Sequence, residues 1–197
     1  MNHGRFAMVF TLTTLMAVGA AAFDGQRRGF ILGGGLGFGM TSFTQTIEGG
    51  GISITSDREN EGAFMTDFRI GWGANEQTEI YYASKVSWFG ITNVNDDDVT
   101  IANGIGGIGF THSLKYDVPT WFVTGGIGLA TWSLPLEDNA PDAWNGFGLF
   151  AGMGYEFSKH YCFEFDLIYG NPGDSDGGVK VSSSALSLKA SINALAY

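Results

Sequence analysis

Cysteine is all but missing: Cys162 stands alone in 197 residues, so no intramolecular disulfide framework holds this fold. Proline occurs only 4 times, too seldom for a proline-rich linker or low-complexity chain. Charge is sparse, at 15% of residues against about 25% in an average soluble domain. Basic residues are the scarcer sign, 10 against 20 acidic, and a net charge of −10 is wrong for a nucleic-acid partner. Past the N-terminus no stretch reaches the ~18 uncharged apolar residues of a membrane-spanning helix. What is abundant is glycine, 31 residues, together with 14% aromatics including 16 Phe. The glycines follow no three-residue period, which excludes collagen. With 44% hydrophobic residues, the chain has too much apolar surface to stay disordered.

Met1 to Arg5 carries one positive charge, Phe6 to Ala22 carries none, and the run ends in Ala20-Ala21-Ala22. A basic start, an apolar stretch and a small-residue cleavage site predict a secretory signal peptide over 1–22. The remaining 23–197 is the length of one domain.

That remainder alternates. Between Phe30 and Phe43, Phe30, Leu32, Leu36, Phe38 and Met40 share one parity, and Gly33, Gly35, Gly37, Gly39 and Thr41 share the other. A period of two with one greasy face is a strand between two different environments. The pattern recurs over 64–72, 78–88, 121–131, 147–157, 161–169 and 180–197. It is noisier over 100–110, where Ile105 and Ile108 differ in parity and a bulge is expected. Phe, Trp, Tyr and Leu fill one set of faces, while Gly, Ser, Asp, Glu, Arg and Lys fill the other. A soluble barrel turns its large apolar residues inward and a membrane barrel turns them outward. The fold expected is therefore all-β, an eight-stranded antiparallel up-and-down transmembrane β-barrel. The links alternate in length: 44–63, 89–99, 132–146 and 171–179 are long or fairly long, while 73–77, 111–120 and 158–160 are shorter. With the N-terminus in the periplasm, the long links fall on the outer side.

These residues carry a resemblance. Across nearly its whole length the chain resembles the eight-stranded outer-membrane barrels of Gram-negative bacteria, of the outer-membrane protein A transmembrane-domain type. Pro119 to Ala130 is the most family-like stretch. The resemblance implies the outer membrane as location, membrane lipids and lipopolysaccharide as surroundings, and an internal ion cluster. The terminal aromatic Tyr197 is similar to the family's assembly signal, but Tyr197 and Leu195 share parity with the polar Asn193 and Ser191. A weaker similarity touches the lipid A deacylase barrels, whose His-x-Ser-Asn motif falls on Ile168 to Asn171. Here Ile168 stands for the His and Gly170 for the Ser. Neither moves a proton or attacks an acyl group, so that activity does not carry over.

Other chemistry is weaker still. Gly104-Ile-Gly106-Gly-Ile-Gly109 spells GxGxxG, but no helix pattern follows it, as a dinucleotide site requires. His112, Ser113 and Asp117 crowd one short turn, where a hydrolytic triad does not converge. Carboxylates gather in the long links, among them Glu48, Asp57, Glu59, Asp97, Asp142 and Asp176, leaving a divalent cation at these loops an open alternative to plain solvation. No cofactor or catalytic residue is expected. The candidate interior polar network comprises Asp67, Arg69, Glu79, Lys85, Glu164 and Asp166, all of inward parity. If 73–77 is a tight hairpin, pairs across it sum to about 150, which sets Arg69 diagonal to Glu79 and Lys85 diagonal to Asp67. The expected role is that of a monomeric, non-enzymatic structural or surface-interaction barrel. The alternatives are a narrow channel or small-solute binder, should the glycine-lined interior leave a cavity, and a lipid-modifying enzyme with an unrecognised site.

Overall fold

A computed structural model describes residues 25–92, 98–137 and 140–197. The expected signal peptide, 1–22, lies outside the described residues, as do Asp96, Asp97 and Asp138 of the acidic links. The strands are β1 (Gly29–Gly49), β2 (Ile52–Thr55), β3 (Glu59–Gly73), β4 (Thr78–Thr92), β5 (Asp98–Ser113), β6 (Thr120–Ser133), β7 (Trp144–Ser158), β8 (Tyr161–Asp176) and β9 (Val179–Ala196). Every long strand pairs antiparallel with its successor, and β1 pairs with β9 from Leu32↔Ala196 to Gly49↔Val179, which closes the sheet. Eight strands form the ring. The ninth, β2, is short and, among the described residues, pairs with the far end of β1 alone. Closure matters because lipid satisfies no backbone hydrogen bonds, so an open edge in the hydrocarbon would be costly.

The wall follows the alternation. Phe38 is 72% exposed and Ile108 69%, while their chain neighbours of opposite parity face the lumen. Over β5 no bulge is needed: the registers with β4 and β6 are continuous, Ile108 points out and Ile105, 3% exposed, points in. The two isoleucines differ in parity because the lumen itself is partly apolar. A register shift occurs instead between Glu156 and Ser158.

One further expectation changes, and one alternative loses its cavity. The links at the hairpin end are mostly ladder rather than loop, since β1, β2 and β3 occupy most of 44–63, and β8 and β9 most of 171–179. Gly50-Gly51 and Gly177-Gly178 make two-residue turns with φ of 58°, 81°, 56° and 84°. Those left-handed angles match the turn type that follows strand twist, and glycine adopts them without strain. Nor do the inward glycines leave an open lumen. A Cβ on Gly109 would stand 2.6 Å from Tyr81 and 2.9 Å from Phe150, and one on Gly154 would overlap Phe122. The missing side chains make room for large ones from neighbouring strands, since Tyr81 pairs directly with Gly109 and Phe122 with Gly154.

Candidate functional site

The lumen is filled in layers. At the end where β1 starts and β9 finishes, Gly25 N–H donates to the Tyr197 carbonyl at 3.1 Å, and the chain then turns Arg27 into the barrel. Its guanidinium donates to Glu156 at 2.5 and 2.9 Å and to the carbonyls of Glu76, Lys115 and Tyr116. Glu156 also accepts from the Tyr197 hydroxyl. Tyr197 and Leu195 thus face inward, packed with Ile31, Phe122 and Cys162. Their parity with Asn193 and Ser191 is real, and the terminal aromatic points into the lumen instead of the lipid.

The middle layer holds the charges. Arg69 donates to Glu164, Lys85 reaches Glu164 at 2.5 Å and Asp166 at 2.8 Å, and Lys189 reaches Asp166 at 2.6 Å and Asp67 at 2.5 Å. All six side chains are at least nine-tenths buried. Three cations face three carboxylates, so the cluster is neutral as a whole. Ser191 Oγ donates to Asp67 at 3.0 Å, and the Arg69 and Lys85 cations lie 5.0 Å from the Tyr81 and Phe150 ring centroids. Carboxylate oxygens of Asp67, Glu164 and Asp166 come within 4.8 Å of one another, a spacing that would suit a metal ion. Here the ammonium groups of Lys85 and Lys189 supply the countercharge.

Of the six residues expected in the interior, five meet in this cluster. Glu79 does not: it is buried, its Oε2 has no protein hydrogen-bond partner, and no ion pair joins it to Arg69. The reason is register. Asn75 Oδ1 accepts from the Gln77 and Thr78 amides, and the Ala74 and Asn75 amides donate to the Thr78 carbonyl. The turn is therefore centred on Glu76, and pairs across β3 and β4 sum to 152. Lys85 lies directly opposite Asp67 instead of diagonal, and Arg69 sits opposite Ala83, four pairs away from Gly73↔Glu79. Lys189, Glu156 and Arg27 were not singled out from the sequence. Lys189 and Glu156 had inward parity as their signal; Arg27 precedes the first strand and had none.

Toward the hairpin end the lumen turns apolar. Thr41, Ser87 and Ser187 hydroxyls link up above the charges, at 2.8 and 3.3 Å. Then Phe43, Met65, Phe89, Ile101 and Trp132 close the bore, with Phe43, Phe89 and Trp132 ring centroids 5.0 to 5.7 Å apart. Beyond them the rim is acidic: Glu48, Asp57, Glu59, Glu61, Asp98, Glu137, Asp142, Asp174 and Asp176 outnumber Arg58 and Lys180.

The weaker candidates are dispersed. His112 points outward and bonds Thr78 Oγ1 at 3.1 Å, while Ser113 is buried inside, so the barrel wall separates them. Ile168 and Gly170 face the lumen.

A closed antiparallel ring, apolar outside and ion-paired inside, defines the chain as a transmembrane β-barrel of the outer-membrane type. Comparison with solved structures agrees. The outer membrane protein OprG from Pseudomonas aeruginosa is similar over 88% of this chain and 98% of its own, with 9% identity and a TM-score of 0.50. Neisserial surface protein A covers 81% of this chain and 96% of its own at 11% identity and TM-score 0.45. The outer membrane protease OmpT from Escherichia coli covers 84% and 96% at 9% identity and TM-score 0.45. These are likenesses of fold. No protein-family model matches the chain, and no curated protein matches it.

Proposed function

We propose that this chain is a closed outer-membrane barrel without catalytic apparatus, serving a structural or surface-interaction role through its acidic hairpin end. In this reading 1–22 is a signal peptide, the termini lie on the periplasmic side, and the hairpins face outward. The observation that carries it is the filled bore: a neutral cluster of six buried charges, with an aromatic layer above and the Arg27–Glu156 pair below. An eight-stranded barrel is only wide enough for its own side chains, and here they occupy it. An ion entering would have to displace buried ion pairs, which are costly to break. The non-enzymatic part of the reading is supported by the separation of His112 from Ser113 and by the inward Ile168 and Gly170.

Planar-bilayer recording of the purified mature protein tests this. The expected result is conductance at the level of the bare bilayer. A stable open conductance in wild type would favour the narrow-channel alternative. Turnover of labelled lipid A by wild type would overturn the non-enzymatic reading.

A further inference from the structure

We propose that the free edge of β2 binds an extended cationic peptide with alternating apolar side chains, by adding it to the sheet as a further strand. This goes beyond a general surface role and does not depend on whether the bore conducts. Among the described residues the strand is paired on one side only, to β1 from Gly49↔Ile52 to Thr46↔Thr55. In a hairpin with a two-residue turn the flanking pair, Gly49 and Ile52, exchanges hydrogen bonds, and bonded pairs then alternate along the ladder. The Ser56 amide donating to the Gln45 carbonyl at 2.8 Å fits that alternation. Ser53 and Thr55 therefore turn their backbone N–H and C=O groups away from β1, toward the open edge.

Edges of this kind are usually blunted by a charge, a proline or a bulge. Ile52-Ser-Ile-Thr55 has none of these. Ile47, Ile52 and Ile54 share one face of the hairpin and are 55%, 66% and 67% exposed. Lipid contact does not account for them, because this ladder lies past Phe43 among rim carboxylates that hydrocarbon would not admit. Exposed apolar surface outside the bilayer marks an interaction site, and strand addition combines backbone bonds with alternate side-chain contacts. The acidic rim selects the occupant's sign. A second copy of this chain would bring like charge to the contact, whereas a peptide with Lys or Arg at alternate positions meets Glu48, Asp57 and Glu59.

The test uses the whole barrel in detergent micelles at low salt. The probe is a capped peptide of about eight residues, a common strand length, alternating isoleucine and lysine. Saturable binding that shifts the Ser53 and Thr55 amide resonances is expected. At least about tenfold weaker binding is expected for an alternately N-methylated probe and for an isoleucine–glutamate probe. Ser53→Pro should weaken binding similarly while keeping heat-modifiable mobility on unboiled gels, because the Ser53 amide makes no bond to β1. Absence of shifts at Ser53 and Thr55 would overturn the proposal. So would equal binding of the N-methylated probe, since charge attraction alone would then explain the complex.

Discussion

The middle and the mouth of this barrel fill the same bore with opposite chemistry. In the middle, Asp67, Arg69, Lys85, Glu164, Asp166 and Lys189 balance one another through directed bonds, and each carboxylate serves more than one cation or hydroxyl. At the mouth, Phe43, Met65, Phe89, Ile101 and Trp132 close the bore by packing. The difference lies in tolerance. A packed cluster that loses a methyl loses area and gains a small cavity, and its neighbours relax into part of it. A charge cluster that loses a member keeps the partner's charge, and no relaxation removes that.

The largest expected effect therefore comes from Glu164→Ala, which takes from Arg69 its carboxylate partner and from Lys85 one of the two it holds most closely. Breaking a buried pair costs roughly 3–5 kcal/mol, so the urea midpoint for unfolding from lipid vesicles should fall well below wild type. A midpoint within error of wild type would mean the six groups are separately solvated and the contrast is false. Met65→Ala should come next, at about 2–3 kcal/mol, the low end of the range for such truncations if its neighbours relax into part of the cavity. If Met65→Ala proves costlier than Glu164→Ala in the same assay, packing rather than ion pairing dominates the interior. The smallest effect belongs to the rim. Glu48 and Lys180 lie 3.9 Å apart with half or more of each side chain exposed, a geometry worth about 0–1 kcal/mol. Lys180→Ala should leave the midpoint nearly unchanged, and added salt should erase any difference. A larger, salt-resistant loss would show that the projecting hairpins contribute to the stability of the ring.

Much of the wall was legible in the chain because facing is a local property. Phe38 and Gly39 take opposite faces whatever the rest of the molecule does, since successive side chains on a strand alternate. The same rule placed Asp67, Lys85, Glu164 and Asp166 inside, and it placed Lys189 and Glu156 there too. Choosing among inward residues was harder. Lys189 earns its place by lying between Asp166, its direct partner on β8, and Asp67, which reaches it from β3 past β1 and far away in sequence. The expectation that Arg69 meets Glu79 failed on a single detail, the centre of one turn, which Asn75 sets by capping the amides of Gln77 and Thr78.

The sequence by itself determined that this is a β-barrel with a lipid-facing exterior, because period two and its apolar face need no partner to be read. Only the tertiary structure decided that the glycines admit Tyr81, Phe122 and Phe150 instead of solute, and that the charges form a neutral cluster of six. It also decided that Arg27 and Tyr197 converge on Glu156 and that β2, among the described residues, stands with a bare edge. Each of these depends on which residues of different strands meet. That is fixed by turn geometry and by closure of the first strand on the last, between positions the local alternation cannot relate.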